Sequence, residues 1–174
     1  VDIMNFRSLN NQFGHHIGDR VIRLFARRIE ESMRRNEKIA KAPSRDAPPA
    51  DDYWRRAYRK YAGGDEFFFL IQGDEVEAIG FAVRLKRQIV LSIQPGVDEI
   101  TGGGFELDVY CGVAQLKPGS DFETANSHVL SALVRARKRF SGRAIYWSSG
   151  REASDFPEGS FARRAYRDAA DLFQ

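Results

Sequence analysis

The sequence has little of several features that would mark particular classes of protein. Only one of its 174 residues is a cysteine, Cys111, so a single chain can form neither an internal disulfide nor a cysteine-based zinc site, and we expect a small buried thiol. No apolar run approaches the roughly 20 residues that a membrane helix needs, and the first residues carry no signal-peptide pattern. We therefore expect a cytoplasmic domain that makes no membrane contact of its own.

The excess of positive over negative charge is also small. Lys and Arg outnumber Asp and Glu by only 27 to 24, for a formal net charge of +3. This balance falls short of the strong field of a dedicated DNA-binding domain, so we expect no nucleic-acid partner. The basic sequence pI of about 9.1 still suits a ligand that carries phosphate.

What is present predicts one domain. A hydrophobic share of 43% and an aromatic share of 12% are enough for a single well-filled core. We place the domain at residues 1–149 and expect residues 150–174 to form a helical C-terminal tail. The opening stretch "VDIMNF" is typical of the end of a strand, so we expect further chain upstream.

Helical and strand patterns alternate along the chain. Ile17, Val21, Leu24, Phe25, Ile29 and Met33 recur at helical spacing, whereas the proline-rich residues 36–52 predict an exposed insertion loop. Aromatic segments on both sides of Gly63 and Gly64 predict a β-hairpin with a buried second strand. Further patterns predict a helix over 74–93 closed by "QPG", a loose "DEITGGG", the strand "FELDVYCGVAQL", a helix over 123–139, the strand "AIYW" and a last helix "FARRAYRDAADLF". This order favours an α/β sandwich, with a central mixed sheet flanked by helices.

Two carboxylates stand where these strands would meet. Asp2 ends the first strand and Asp65 lies at the hairpin tip, so side-by-side pairing of the strands would bring two like charges together. A divalent cation relieves that repulsion, and a small set of oxygen ligands with room for water and phosphate is typical of Mg²⁺. Gly63 and Gly64 would let a phosphate approach the backbone closely.

The same residues lie in two motifs of a known family. "GGDEF" at 63–67 is the signature of the GGDEF family of diguanylate cyclases, and "DIMNFRSLNNQFGHHIGD" at 2–19 resembles the family's other long motif. "LDVYCGVA" and, more weakly, "SALVRARKRFSGR" are similar to later segments of the family. The resemblance runs from residue 2 to about residue 147, and it implies a palm-like nucleotidyl cyclase fold with GGDEF carried on the β-hairpin.

The resemblance implies a function and a metal site. Family members condense two GTP molecules into cyclic di-GMP and two pyrophosphates, with each subunit of a homodimer presenting one GTP. The Mg²⁺ (or Mn²⁺) would be held by the carboxylates of Asp2 and Asp65 and the backbone carbonyl of Ile3. Glu66 would remove the proton, or act as a further metal ligand, and Asp65 would share in catalysis.

The resemblance also implies a GTP site. Asn10 and Asp19 would read guanine, because an aspartate accepts from guanine's N1 and N2 donors and leaves adenine unsatisfied. From its place in the sequence, Asp19 also fits the N-cap of a helix that begins near Arg20. The full set of expected GTP-binding residues is Phe6, Arg7, Asn10, His15, Asp19, Gly63, Gly64 and Arg137.

Several departures from the family pattern keep other hypotheses open. Tyr61 stands where an arginine is usual, Val129 and Leu130 replace an "AD" pair, and residues 142–144 read Gly-Arg-Ala in place of "GRN". A weak or inactive GGDEF module that binds GTP as a sensor is therefore the main alternative, and another palm-type nucleotidyl cyclase or polymerase is the third. The family also implies an upstream sensor or regulatory domain, through which the full-length protein could be membrane-anchored.

Overall fold

The structure is a computed structural model, and it describes residues 1–33, 37–40, 64–116, 119, 121–139 and 142–174. In chain order, the described elements are β1 (Asp2–Ile3), α1 (Phe6–Phe13), α2 (His15–Ser32), β2 (Glu37–Ala40), β3 (Phe68–Ile71), α3 (Glu75–Gln88), a π-helical turn (Ile89–Ile93), α4 (Gln94–Thr101), β4 (Val109–Val113), α5 (Phe122–Arg137), β5 (Ile145–Trp147), a 3₁₀ turn (Ala153–Asp155) and α6 (Phe161–Leu172). Helices and strands alternate, which agrees with the expected α/β class, and the palm arrangement stays a prediction. No helix among the described residues is both long and apolar enough to cross a membrane.

The chain divides into two compact units. The N-terminal unit comprises Asp2–Leu70 and Arg87–Val109, and the C-terminal unit comprises Val1, Ile71–Lys86 and Tyr110–Gln174. This division does not test the boundary predicted at residue 149, which stays a prediction.

In the N-terminal unit, the short strand β1 is held by backbone hydrogen bonds. The Met4 N–H donates to the Asp108 carbonyl (2.8 Å), just before β4 begins, and the Ile3 N–H donates to the Asp65 carbonyl (3.3 Å). Phe25 of α2 packs on Phe67, with ring centroids 4.7 Å apart, and both side chains are fully buried. Phe67, the last residue of the GGDEF segment, is thus part of the core of this unit.

Helix α2 confirms the predicted apolar stripe but begins earlier than expected. Val21, Leu24, Phe25 and Ile29 are buried, as helical spacing requires. The helix begins at His15 because Gly14, at φ 86° and ψ 154°, separates it from α1. Asp19 therefore lies inside the helix and is not its N-cap.

The predicted loop over 36–52 is wrong for Glu37–Ala40, which form β2 and pair with β3 in a two-stranded sheet. The prolines that favoured a loop, at positions 43, 48 and 49, all follow this strand, so none removes a donor from it. The rest of the predicted loop lies outside the described residues, as do Gly63 and the first strand of the predicted hairpin.

The second hairpin strand is less buried than expected. Gly64 and Asp65 form a turn and β3 follows, but within Phe68–Ile71 no residue is fully buried, and Leu70 is 47% exposed. The core contact comes instead from Phe67, just before the strand. The apolar run in β3 therefore does not mean that the strand is completely buried.

Pro95 does not close the helix that starts near Asp74. The chain passes from α3 through the π-helical turn into α4, where the proline occupies the first turn. A proline has no N–H to continue the helical hydrogen-bond pattern, and here it lies where the π-helical turn passes into α4. The expected loose segment is helical up to Thr101, and it ends at Gly102 in the left-handed region (φ 73°).

In the C-terminal unit, β4 and β5 pair in parallel, with Cys111 opposite Ile145 and Val113 opposite Trp147. Cys111 is buried and not in a disulfide, as expected. Helix α5 lies so close to β4 that a Cβ on Gly112 would come within 2.4 Å of the Leu133 nitrogen.

Residues 150–174 contribute to this unit. The predicted last helix is present as α6, and the Ala144 N–H donates to the carbonyl of Phe173 just beyond it (2.7 Å). Tyr166 packs edge-on against Trp147, with ring centroids 5.1 Å apart. Phe173 is fully buried, so the end of this segment belongs to the unit's core.

Side-chain caps fix the starts of two helices here. Asp74 accepts from the N–H groups of Val76 (2.7 Å) and Glu77 (3.3 Å), and Glu77 accepts in turn from the Asp74 N–H (3.0 Å). This capping box holds the pKa of Asp74 below its usual value, chiefly through the side-chain interaction with Glu77. At α5, a hydrogen bond from the Thr124 N–H likewise lowers the pKa of Asp121.

Candidate active site

The structure places the first motif beside the GGDEF segment. Asp2 and Glu66 form an antiparallel bridge, and the Ile3 N–H donates to the Asp65 carbonyl. The expected side-by-side pairing is therefore observed, with Asp2 opposite Glu66 and Asp65 one residue away in the turn. Asp2 is only 7% exposed, whereas Asp65 and Glu66 are half-buried.

These residues offer hard oxygen donors in a small number. No cluster of three or more His, Cys, Asp or Glu side chains suited to a metal occurs among the described residues. The expected set needs only the two carboxylates of Asp2 and Asp65 with the Ile3 carbonyl. Mg²⁺ commonly takes one or two protein carboxylates and completes its shell with water and phosphate oxygens. The donor chemistry therefore fits Mg²⁺, although the set is not closed by side chains alone.

The turn itself is open. A Cβ built on Gly64 would meet no described atom within 4 Å, so a ligand could approach the backbone there. Gly63, the other glycine of the predicted phosphate site, lies outside the described residues. Phe6 and Arg7 begin α1, three and four residues after Ile3, and Arg7 is exposed.

Asn10 lies where α1 packs against α2. Its Oδ1 is buried and has no hydrogen-bond partner among the described residues. Across from it is Gly18 of α2, where a Cβ would come within 1.9 Å of this Oδ1 and 3.1 Å of the Phe6 ring. A buried amide oxygen without a donor costs about 1–3 kcal/mol, so this atom calls for a partner.

Asp19 and His15 occupy the first two turns of α2 and are exposed. The Asp19 backbone carbonyl accepts from Arg23 Nε (3.1 Å), as an interior helical residue can, and Gly14 takes the position preceding the helix. The predicted capping role of Asp19 is therefore wrong, because α1 and α2 meet at Gly14, five residues earlier than the polar pattern indicated. The predicted role of Asp19 in binding guanine does not depend on a capping role and stays a prediction.

The described candidates fall in both units. Asp2, Ile3, Phe6, Arg7, Asn10, His15, Asp19, Gly64, Asp65 and Glu66 belong to the N-terminal unit. Arg137 belongs to the C-terminal unit, where it is exposed in the last turn of α5. The roles of all these residues stay predictions.

Gly18 is the residue that sequence reasoning missed. A glycine in a helix interior costs about 1 kcal/mol relative to alanine, which is a signal that something requires it. Its neighbour across the helix pair could not be found from that signal alone.

Comparison with known proteins gives one match. The family model "Diguanylate cyclase, GGDEF domain" matches residues 1–44, which include the first motif but not the GGDEF segment at 63–67. No curated protein and no solved structure matches the chain significantly. The matched residues include β1, α1, α2 and β2, and the match over this part of the chain supports the assignment to the GGDEF-domain family.

Proposed function

We propose that this chain is a diguanylate cyclase domain that joins two GTP molecules into cyclic di-GMP with release of two pyrophosphates. The observation that carries the proposal is the bridge between Asp2 and Glu66, which sets a buried carboxylate beside the GGDEF turn. The carboxylates of Asp2 and Asp65 together would suit the metal ion of a nucleotide, whereas either one alone would not.

The reaction divides among residues of this chain. Asp2, Asp65 and the Ile3 carbonyl would hold Mg²⁺ (or Mn²⁺). When bound, the metal would neutralise triphosphate charge and favour ionisation of the 3′-hydroxyl. Glu66 takes the proton from that hydroxyl.

In the proposed reaction, which takes place in a site shared by two subunits, each bond formed is matched by a bond broken. The 3′-oxygen of each GTP forms a bond to the α-phosphorus of the other, and the bond from that phosphorus to the pyrophosphate breaks. Two such steps close the ring and release two pyrophosphates. One chain presents one GTP, so a homodimer is part of the proposal.

Binding residues set the choice of base and orient the phosphates. Asn10 and Asp19 recognise guanine, with His15 close to the base. Arg7, Gly63, Gly64 and Arg137 bind the phosphates, where the arginines supply positive charge in place of the family's lysines, and Phe6 completes the GTP site. A cytoplasmic location and an upstream sensor domain complete the proposal.

A GTP-binding module without turnover is the second candidate, supported by the substitutions at Tyr61, Val129 and Leu130. Incubation of the full chain with GTP and Mg²⁺, followed by chromatography for cyclic di-GMP, separates the two. Product supports the cyclase, whereas GTP binding without product supports the sensor. Parallel incubations with ATP, UTP and CTP test for another nucleotidyl cyclase or polymerase.

A further inference from the structure

At Gly18, α2 approaches the side chains of α1 closely. It lies inside an eighteen-residue helix, where the backbone does not require glycine. The added Cβ would overlap the Asn10 Oδ1 at 1.9 Å and press on the Phe6 Cζ at 3.1 Å. Because Gly18 has no side chain, the Asn10 amide can occupy this position.

The amide held in this place lacks a donor. Oδ1 of Asn10 is buried, and no described residue donates a hydrogen bond to it. The backbone carbonyl of Asn10 is already used, since it accepts from the Gly14 N–H at the break between the helices (2.9 Å). The backbone of Asn10 is thus held at the α1–α2 junction, and its side-chain oxygen is buried against Gly18 without a donor among the described residues.

We propose that Gly18 is a positioning residue for guanine recognition. By carrying no side chain, it lets the junction hold Oδ1 of Asn10 as an acceptor for the exocyclic amino group of guanine. This inference rests on the proposed function, because it takes GTP as the ligand. Gly18 acts through Asn10, so a change at position 18 alters base choice before it alters the fold.

The first test is Gly18→Ala. The atom in the way is the free end of a side chain, so Asn10 can rotate aside, and alanine is the better helix former. We expect an unchanged or higher melting temperature together with an affinity for 3′-deoxy-GTP, which cannot react, that is about fivefold lower or more, as for one lost hydrogen bond. Isothermal titration calorimetry measures the affinity without turnover.

A matched control is Gly80→Ala in α3. Gly80 is also a helical glycine, but its added Cβ would make only an ordinary 3.5 Å contact with Phe161. This variant should share the gain in helix stability and leave the affinity for 3′-deoxy-GTP unchanged.

Base choice supplies a readout that a purely structural role would not move. Inosine lacks the exocyclic amino group of guanine, so the wild type should prefer 3′-deoxy-GTP to 3′-deoxy-ITP. Gly18→Ala should lose that preference. Equal discrimination in the wild type and the variant would overturn the proposal.

A double-mutant cycle with Asn10→Ala tests whether Gly18 acts through Asn10. In the Asn10→Ala background, Gly18→Ala should cause no further loss of affinity, and an equal loss in both backgrounds would contradict the inference.

Should Gly18→Ala alone unfold, restoration of the fold in the double variant would support the contact, and failure to restore it would overturn the proposal. A wild type that binds no 3′-deoxy-GTP would refute the proposed function itself, whereas normal binding by Gly18→Ala would refute only this inference.

Discussion

The phenol of Tyr166 donates a hydrogen bond to Oε1 of Glu75, which joins α6 to the first turn of α3. The Ser149 hydroxyl donates to the same oxygen. Tyr166 is 1% exposed and Glu75 6% exposed, so this carboxylate depends on protein donors for its solvation.

Removal of one donor should destabilise the C-terminal unit. Tyr166→Phe keeps the packing against Trp147 but leaves Glu75 with one donor fewer, and we expect the free energy of unfolding to fall by about 1–3 kcal/mol. Urea denaturation followed by circular dichroism measures this change. The control is Tyr146→Phe, whose phenol contacts Arg135 at the exposed surface (3.2 Å) and should cost about 0.5 kcal/mol or less. Equal midpoints for Tyr166→Phe and wild type would contradict the donor role.

Stability should also depend on alkaline pH through Tyr166. Burial, and then the hydrogen bond and charge of Glu75, raise the pKa of Tyr166 well above its ordinary value of 10.0. Because the folded-state pKa is raised, the contribution is fully present below about pH 10 and is lost as pH rises toward the folded value.

The comparison with Tyr166→Phe isolates this contribution. The stability difference between wild type and variant should shrink as pH increases above 10, and tyrosinate absorbance should show a late-ionising phenol in the wild type that Tyr166→Phe lacks. A difference that stays constant across this range would rule out a raised pKa.

Asn126→Leu should stabilise the protein. Asn126 is 5% exposed in α5, and its Oδ1 has no hydrogen-bond partner among the described residues. Leucine has the same number and branching of side-chain heavy atoms and no polar group to desolvate, so we expect a gain of about 1 kcal/mol in the free energy of unfolding. Asn126→Asp is the opposing variant and should destabilise by burying a charge. Lower stability for Asn126→Leu, measured by urea denaturation, would mean that the amide has a partner.

Sequence patterns predicted what depends on near neighbours in the chain. The stripe of Val21, Leu24, Phe25 and Ile29 follows from the helical period alone, so its burial was predictable. The end of α3 was not, since proline stops a helix or starts one according to position, and Pro95 starts α4. The pairing of β2 depends on β3, about thirty residues later, which no local pattern specifies.

The candidate site divides in the same way. The pairing of the first motif with the GGDEF segment could be predicted, because both were recognisable as strand ends. The contact between Gly18 and Asn10 could not, because it depends on how closely α1 and α2 pack. The capping role given to Asp19 failed because Gly14, and not Asp19, precedes the start of α2.

Asp65→Asn should abolish cyclisation and retain the fold. The change removes one of two carboxylates that would hold the metal, and we expect cyclic di-GMP to fall by more than about a hundredfold, since even an outer-shell change can cost that much. Chromatography of the product and circular dichroism measure the two effects. Glu158→Gln, an exposed acid in the C-terminal unit, is the control and should keep full activity. Product at the wild-type rate from Asp65→Asn would end the metal assignment.

Asp19→Asn should weaken GTP binding without lowering the melting temperature. The carboxylate would make charge-assisted bonds to N1 and N2 of guanine, each of about 1.5–3 kcal/mol, so we expect an affinity lower by about ten- to a hundredfold. Asp19 is exposed and caps no helix, so the fold should not depend on its charge. Calorimetry with GTP beside thermal melting tests both statements. An unaltered dissociation constant would remove Asp19 from the base site.

The hydrogen bond between Tyr166 and Glu75 has a consequence for synthesis on the ribosome. The C-terminal unit combines residues 71–86 with a helix that is translated about eighty residues later. A nascent chain that has just produced α3 therefore holds Glu75 without its Tyr166 donor until α6 has left the exit tunnel. At about 5–20 residues per second, this interval lasts several seconds, during which water must take the place of the Tyr166 donor at Glu75.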